Sequence, residues 1–221
     1  MRFTDSEVFR ILTTSKVYAD YVSSVNMGTL QYIDRDGDGK ITQEELEFIR
    51  SLSNRPDNNG SVFANNTQIE SFNEFRFFTG LNMINNGCFQ NCSLLKEITL
   101  PVLTQMGNST FASSGIERLI IPEGYQVIGD SILQRCPNLI LVDFPSTTTS
   151  VSAGGSIFWA MRNQANIICR AIIPPTLGGW GYDGDPKAIY VPDASVATYK
   201  SAAGWSLQAA KIYPLSTYVE S

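Results

Sequence analysis

Apolar positions recur every 22 residues through the middle of the chain. Phe89, Phe111 and Leu133 share that spacing, as do Ile84, Met106 and Ile128. Within each period the order Leu95–Ile98–Leu100–Pro101 returns as Ile116–Leu119–Ile121–Pro122, and again as Leu139–Val142–Phe144–Pro145. Alternation over the last positions predicts a short strand with one inward and one outward row. A unit this short cannot bury its apolar face alone, so the period predicts a stack of rungs, a solenoid, over residues 62–175. Residues 62–83 read as an irregular first rung, with Ile69, Phe72, Phe75, Phe78 and Leu81 as its apolar set. The last rung is stretched between Pro145 and Pro174, and its strand positions are expected at Ile168, Ala171 and Ile173.

The flanks follow other patterns. Ser6 to Val22 carries scattered apolar positions and predicts a helix. Thr42 followed by Glu45 is a capping box that opens a second helix, with Ile41, Leu46, Ile49 and Leu52 as its apolar stripe. The turn-forming run from Asn54 to Ser61 marks a boundary, so residues 1–58 read as a helical module. Residues 176–221 break the period. They predict a glycine-rich loop, a strand over Ala188 to Pro192, and a helix over about 195–203 capped by Asp193 or Ser195. Tyr199 and Trp205 are expected to close the end of the stack. The predicted fold is α+β: a β-solenoid-like stack between an N-terminal helical module and a C-terminal strand-helix cap.

Composition narrows the chemistry. The chain has no histidine, which removes the usual base of serine and cysteine hydrolase triads. A carboxylate-pair glycosidase survives this test, because it needs only Asp and Glu. The net charge of −5, with no basic patch, argues against a nucleic-acid partner. No apolar run is long enough to insert in a membrane. Arg2 to Asp5 lacks the apolar stretch of an export signal, so the expectation is a cytosolic protein or one whose signal lies outside these residues. Cys92 and Cys136 fall at one repeat position two rungs apart, roughly 10 Å by strand spacing and beyond the ~7 Å reach of a disulfide. Buried thiols are expected, with a Cys88–Cys92 bridge as the alternative.

One segment carries explicit metal chemistry. Asp34 to Glu45 reads Asp-Arg-Asp-Gly-Asp-Gly-Lys-Ile-Thr-Gln-Glu-Glu, the EF-hand pattern at every demanded position. Calcium takes six to eight oxygen ligands. Asp34, Asp36 and Asp38 offer carboxylates from alternate residues, Lys40 its backbone carbonyl, Thr42 a direct or water-mediated contact, and Glu45 a closing bidentate carboxylate. The expected cofactor is calcium. A lone loop beside a stack suggests a structural ion, whose loss would loosen residues 1–55 preferentially.

Between the inward strand positions lie two outward columns, expected to form a partner-binding face. One comprises Glu97, Arg118, Leu141 and Arg170; the other Thr99, Ile120, Asp143 and Ile172. Ile120, Leu141 and Ile172 would then be exposed apolar residues, a mark of an interaction surface. Trp180 and Tyr182, in the glycine-rich loop, either plug the stack or stack on a sugar ring.

The text of the rungs, Cys88-Phe89-Gln90-Asn91-Cys92 through Ile98-Thr99-Leu100-Pro101 together with Ile128-Gly129, resembles the BspA-like leucine-rich repeats. The closing run Ile189-Tyr190-Val191-Pro192-Asp193-Ala194-Ser195, with Tyr199 and Gly204-Trp205, is similar to the segment that often ends such proteins. The Asp34 loop is similar to EF-hand and dockerin-type calcium loops. The resemblance implies a non-catalytic secreted or cell-surface adhesion protein whose partner is a host extracellular-matrix protein, a glycan or another surface protein. A carbohydrate-binding or glycoside-hydrolase accessory module, or a structural assembly component, are the alternatives.

Overall fold

The computed structural model describes residues 1–18, 29–55, 61–152, 155–160 and 165–220. The chain opens with α1 (Ser6–Thr14), whose N-terminus is capped by the Asp5 carboxylate accepting from the Glu7 and Val8 amides. Strand β1 (Lys16–Tyr18) follows and pairs antiparallel with β2 (Leu30–Tyr32). α2 (Gln43–Phe48) begins at the Thr42–Glu45 capping box. The helical reading of residues 1–58 is therefore corrected. β-branched Val17, fully buried between exposed Lys16 and half-buried Tyr18, alternates with period two and favours a strand. Tyr21 and Val22, and residues 56–60 of the expected boundary, lie outside the described residues.

The repeats supply β3 (Ser71–Phe72), β4 (Glu97–Ile98), β5 (Gln105–Met106), β6 (Arg118–Ile120), β7 (Val127–Ile128), β8 (Leu141–Phe144), β9 (Ser150–Val151), β10 (Asn166–Cys169) and β11 (Thr176–Leu177). Beyond them come β12 (Ala188–Val191), α3 (Val196–Ser201) and β13 (Ile212–Pro214). Among the described residues β3 and β4 pair parallel by themselves, and the other strands form two longer parallel ladders. One runs β6-β8-β10-β12-β13, with Leu119, Val142, Ile167, Ile189 and Ile212 in register. The other runs β5-β7-β9-β11, with Met106, Ile128, Val151 and Leu177 in register.

This register corrects two expectations. Ile167 and Cys169 pair with Val142 and Phe144, so Ala171 and Ile173 are not strand positions. Alignment on proline is what misleads: Arg170, not Pro174, follows the strand where Pro145 does. The period also does not end at residue 175, because β12 and β13 extend the same ladder. Ser195 does stand at the N-cap of α3, but neither its side chain nor that of Asp193 caps the helix. Ser195 donates to the Ile172 carbonyl, and Asp193 accepts from Ser216.

Side chains repeat along the stack as strictly as the backbone does. The rings of Phe63, Phe89 and Phe111 stack at centroid distances of 5.6 and 5.5 Å. The cysteine position is a short buried donor to the preceding rung: Cys92 Sγ donates to the Phe63 carbonyl at 3.1 Å and Cys136 Sγ to that of Phe111 at 3.0 Å. All four cysteines are free and buried. Desolvation pushes the thiols of Cys92, Cys136 and Cys169 up to about 12, 11 and 11. A third line of inter-rung bonds runs through left-handed corners, where the Asn91, Ser113 and Arg135 amides donate to the Ala112, Gln134 and Trp159 carbonyls. At the far end Trp180 stacks on Phe158, and Trp205 donates to the Pro175 carbonyl. Trp180 is thus a buried plug, whereas Tyr182 is 73% exposed. One hydrophobic cluster runs from Val8 to Ile212, joining the N-terminal segment to the rungs.

Candidate metal loop and binding surfaces

The Asp34 loop is built by its own carboxylates. Asp34 accepts from the Gly37 and Gly39 amides at 2.8 and 3.0 Å, Asp36 from Asp38 at 3.1 Å, and Asp38 from Lys40 at 2.8 Å. Gly37 and Gly39 turn the chain through φ of +70° and +74°, which side-chain-bearing residues adopt at a cost. These turns gather one carboxylate oxygen each from Asp34, Asp36 and Asp38 within 4.8 Å of one another. Glu45 is buried. Its Oε2 accepts from the Thr42 amide and hydroxyl at 2.8 and 2.9 Å, and its Oε1 from the Arg35 amide at 2.8 Å. It thus closes the loop through the backbone while capping α2. A cavity of about 410 Å³ lined by Arg35, Asp36, Thr42, Glu44 and Glu45 adjoins it. The donor set is all oxygen and acidic, which suits a hard divalent cation.

The loop is bolted to the first rung. Gln43 donates to the Phe77 carbonyl, and Arg50 bridges the Glu47 and Gly80 carbonyls. Gly80 permits this approach, because a Cβ there would lie 2.0 Å from the Glu47 carbonyl oxygen. The Leu52 amide donates to buried Asn85. On the other side Asp5 accepts from the Glu70 and Ser71 amides, and Asn66 donates to Glu7. Glu7 also takes both Arg10 nitrogens at 2.7 Å, and this pairing holds its carboxyl down at about 2.

The outward columns are only partly as expected. Glu97, Thr99 and Ile120 are exposed and Arg118 is half-buried. Leu141 and Asp143, however, are 3% and 6% exposed. Arg170 and Ile172 leave the columns altogether; register puts Asn166 and Ile168 there instead. Arg170 turns back to grip Asp143 with two bonds of 2.9 and 2.7 Å. The chain itself returns to this face. After β13 a turn over Leu215–Thr217, fastened by Ser216 to Asp193, redirects it. Tyr218 then packs on Tyr190 of β12 at 4.9 Å, and Glu220 pairs with Arg118 of β6. Strands β10 and β8 lie between those two fixings. No periodicity in the sequence signals this return.

Exposed apolar surface lies instead at the corner following the first ladder. Ile172 and Ile173 are 74% and 80% exposed. A groove of about 510 Å³ runs there between Ser146–Thr149 and Ala171–Thr176. The run Ile172-Ile173-Pro174-Pro175 is the signal for it, since consecutive prolines cannot continue a strand.

The BspA type leucine rich repeat region matches residues 59–169, in six copies. The chain belongs to this family. The match runs through β10 and stops before β11, β12 and β13, which continue the two ladders. No curated protein matches the chain. Membership makes the BspA type region a protein-interaction or surface repeat domain, of a kind that is generally non-catalytic. Among the described residues no helix is long and apolar enough to cross a membrane.

Proposed function

We propose that this protein is a non-catalytic, surface-displayed interaction protein. In this reading a solenoid presents the corner groove to a partner, and the Asp34–Glu45 loop holds a structural calcium ion. The observation that carries it is the corner itself. Rungs whose inward residues are fully buried leave Ile172 and Ile173 in solvent, lining one groove with Thr147, Thr148 and Thr149. Scattered exposed apolar residues are ordinary, but a contiguous set lining a groove marks an interaction site. The partner classes are a host extracellular-matrix protein, a glycan or another surface protein, met outside the cell.

For calcium, Asp34, Asp36 and Asp38 would hold the ion, with the Lys40 carbonyl, Thr42 and Glu45 completing its shell. The ion supplies positive charge that offsets three carboxylates held within 4.8 Å. Its contribution falls on α2, which leaves the loop directly and docks on the first rung. An accessory carbohydrate-binding role is favoured by one observation, the exposed ring of Tyr182 in a glycine-rich loop. Labelled protein applied to an array of matrix proteins and mucin-type glycans tests the proposal. Binding is expected in calcium and reduced in chelator; silence in both would shift the reading to a structural assembly component.

A further inference from the structure

The return of the chain over the first ladder shows what kind of segment that ladder's outer face accepts. Residues 215–220 cross it without forming a strand of their own. They are fixed at two points of different chemistry. The aromatic fixing is Tyr218 on Tyr190, itself 6.1 Å from the Tyr213 ring. The charged fixing is Glu220 on Arg118, whose side chain is one-third exposed. Between these points the outward residues Ile168, Leu141 and Asp143 are 2%, 3% and 6% exposed. At the margins the same face opens, with Ile120 49% and Tyr213 44% exposed. Val219, between the fixings, points away and is 81% exposed. The face therefore reads an aromatic residue and, two positions later, an acid, and is indifferent to the residue between.

We propose that the strip from Tyr190 to Arg118 is a docking site for an extended polypeptide segment bearing that aromatic-x-acid pattern, with Leu215–Glu220 as its resident occupant in cis. The partner segment is acidic because Arg118 provides the end anchor, while Asp143 is already neutralised by Arg170. Its aromatic enters beside two tyrosine rings, where edge-to-face packing adds to burial. Occupation in cis also controls access. A tethered segment meets its site at about millimolar effective concentration, so a micromolar competitor does not displace it. The strip opens only when the tether lets go, and this makes it a second surface, separate from the corner groove.

The test uses the full chain with the strap released by Tyr218→Gly and Glu220→Gly, both at the solvent-facing edge of the fold. The probe is a fluorescent peptide of sequence Leu-Ser-Thr-Tyr-Val-Glu, read by polarisation. The released variant is expected to bind it and to take up more of an apolar-surface dye than the unmodified chain, which should not bind the peptide. Adding Arg118→Glu to the released variant places like charges together and is expected to weaken peptide binding about tenfold or more. A peptide with lysine in place of its glutamate should recover binding to that charge-reversed protein. Absence of peptide binding by the released variant up to about 1 mM, the scale set by the tether, would overturn the proposal. So would binding that survives charge reversal, or a released variant that takes up no more dye than the unmodified chain, since the tail would then cover nothing.

Discussion

Phe89→Ala is expected to cost about 3–5 kcal/mol, the usual range for emptying a buried aromatic site. The ring has no solvent exposure and touches Phe63, Phe72, Phe75 and Phe111 at centroid distances of 5.2–6.2 Å. Its neighbours belong to adjacent rungs stacked by parallel pairing, which leaves them little freedom to collapse into the space. Phe72 and Phe75 also belong to the rung that carries the N-terminal segment, through Asp5 on one side and Gln43 and Arg50 on the other. The whole chain should therefore lose stability in a single transition. Urea unfolding followed by far-ultraviolet circular dichroism measures this. A loss below about 1 kcal/mol would mean that the ring column is not a mechanical element of the stack.

Asp34→Ala combined with Glu45→Ala should remove calcium binding and the calcium dependence of melting. Two effects superpose. Asp34 and Glu45 together satisfy five donors: the amides of Gly37, Gly39, Arg35 and Thr42 and the Thr42 hydroxyl. Losing them weakens the loop and the cap of α2 whatever the ion content, by about 1 kcal/mol for the cap alone. The ion adds about 2.7 kcal/mol when free calcium stands at 100 times its Kd. Comparing calcium with chelator separates the two, because only the second term responds. The wild-type chain should melt lower in chelator, and the double variant should melt low in both. Unchanged melting of the wild-type chain would remove calcium from the account. The loss should not be confined to residues 1–55, as a free-standing module would require. Gln43, Arg50, Leu52 and Asn66 each hydrogen-bond across to their neighbours.

The repeats were legible because each rung repeats the same burial problem. A phenylalanine or leucine at position 89, 111 or 133 has no other way to leave water than to stack on its equivalents. The same logic exposed the inward row of the first ladder as far as Phe144. It failed at the fourth rung, where proline served as a ruler. Proline marks where a strand ends only if the turn length is constant, and the Pro145–Pro174 segment is longer than its predecessors. The ladder's continuation through Ile189 and Ile212 was hidden for a related reason. The step from Val142 to Ile167 is 25 residues rather than 22, and helix α3, between Ile189 and Ile212, masks the return to the period. The Asp34 loop was legible in full as a pattern because its chemistry is local: each carboxylate serves an amide two to five residues away. Leu141 was not. It pairs in register with Arg118, which meets Glu220 across 102 residues, and no local pattern encodes a partner at that distance.

Partner binding by the corner groove is tested by placing wild-type protein and an Ile172→Glu, Ile173→Glu variant side by side on the array of matrix proteins and glycans, in calcium. Both side chains are largely in solvent, so the variant should keep its fold and melting temperature. The account predicts that the wild-type protein binds and the variant does not. Equal binding by the two proteins would contradict it.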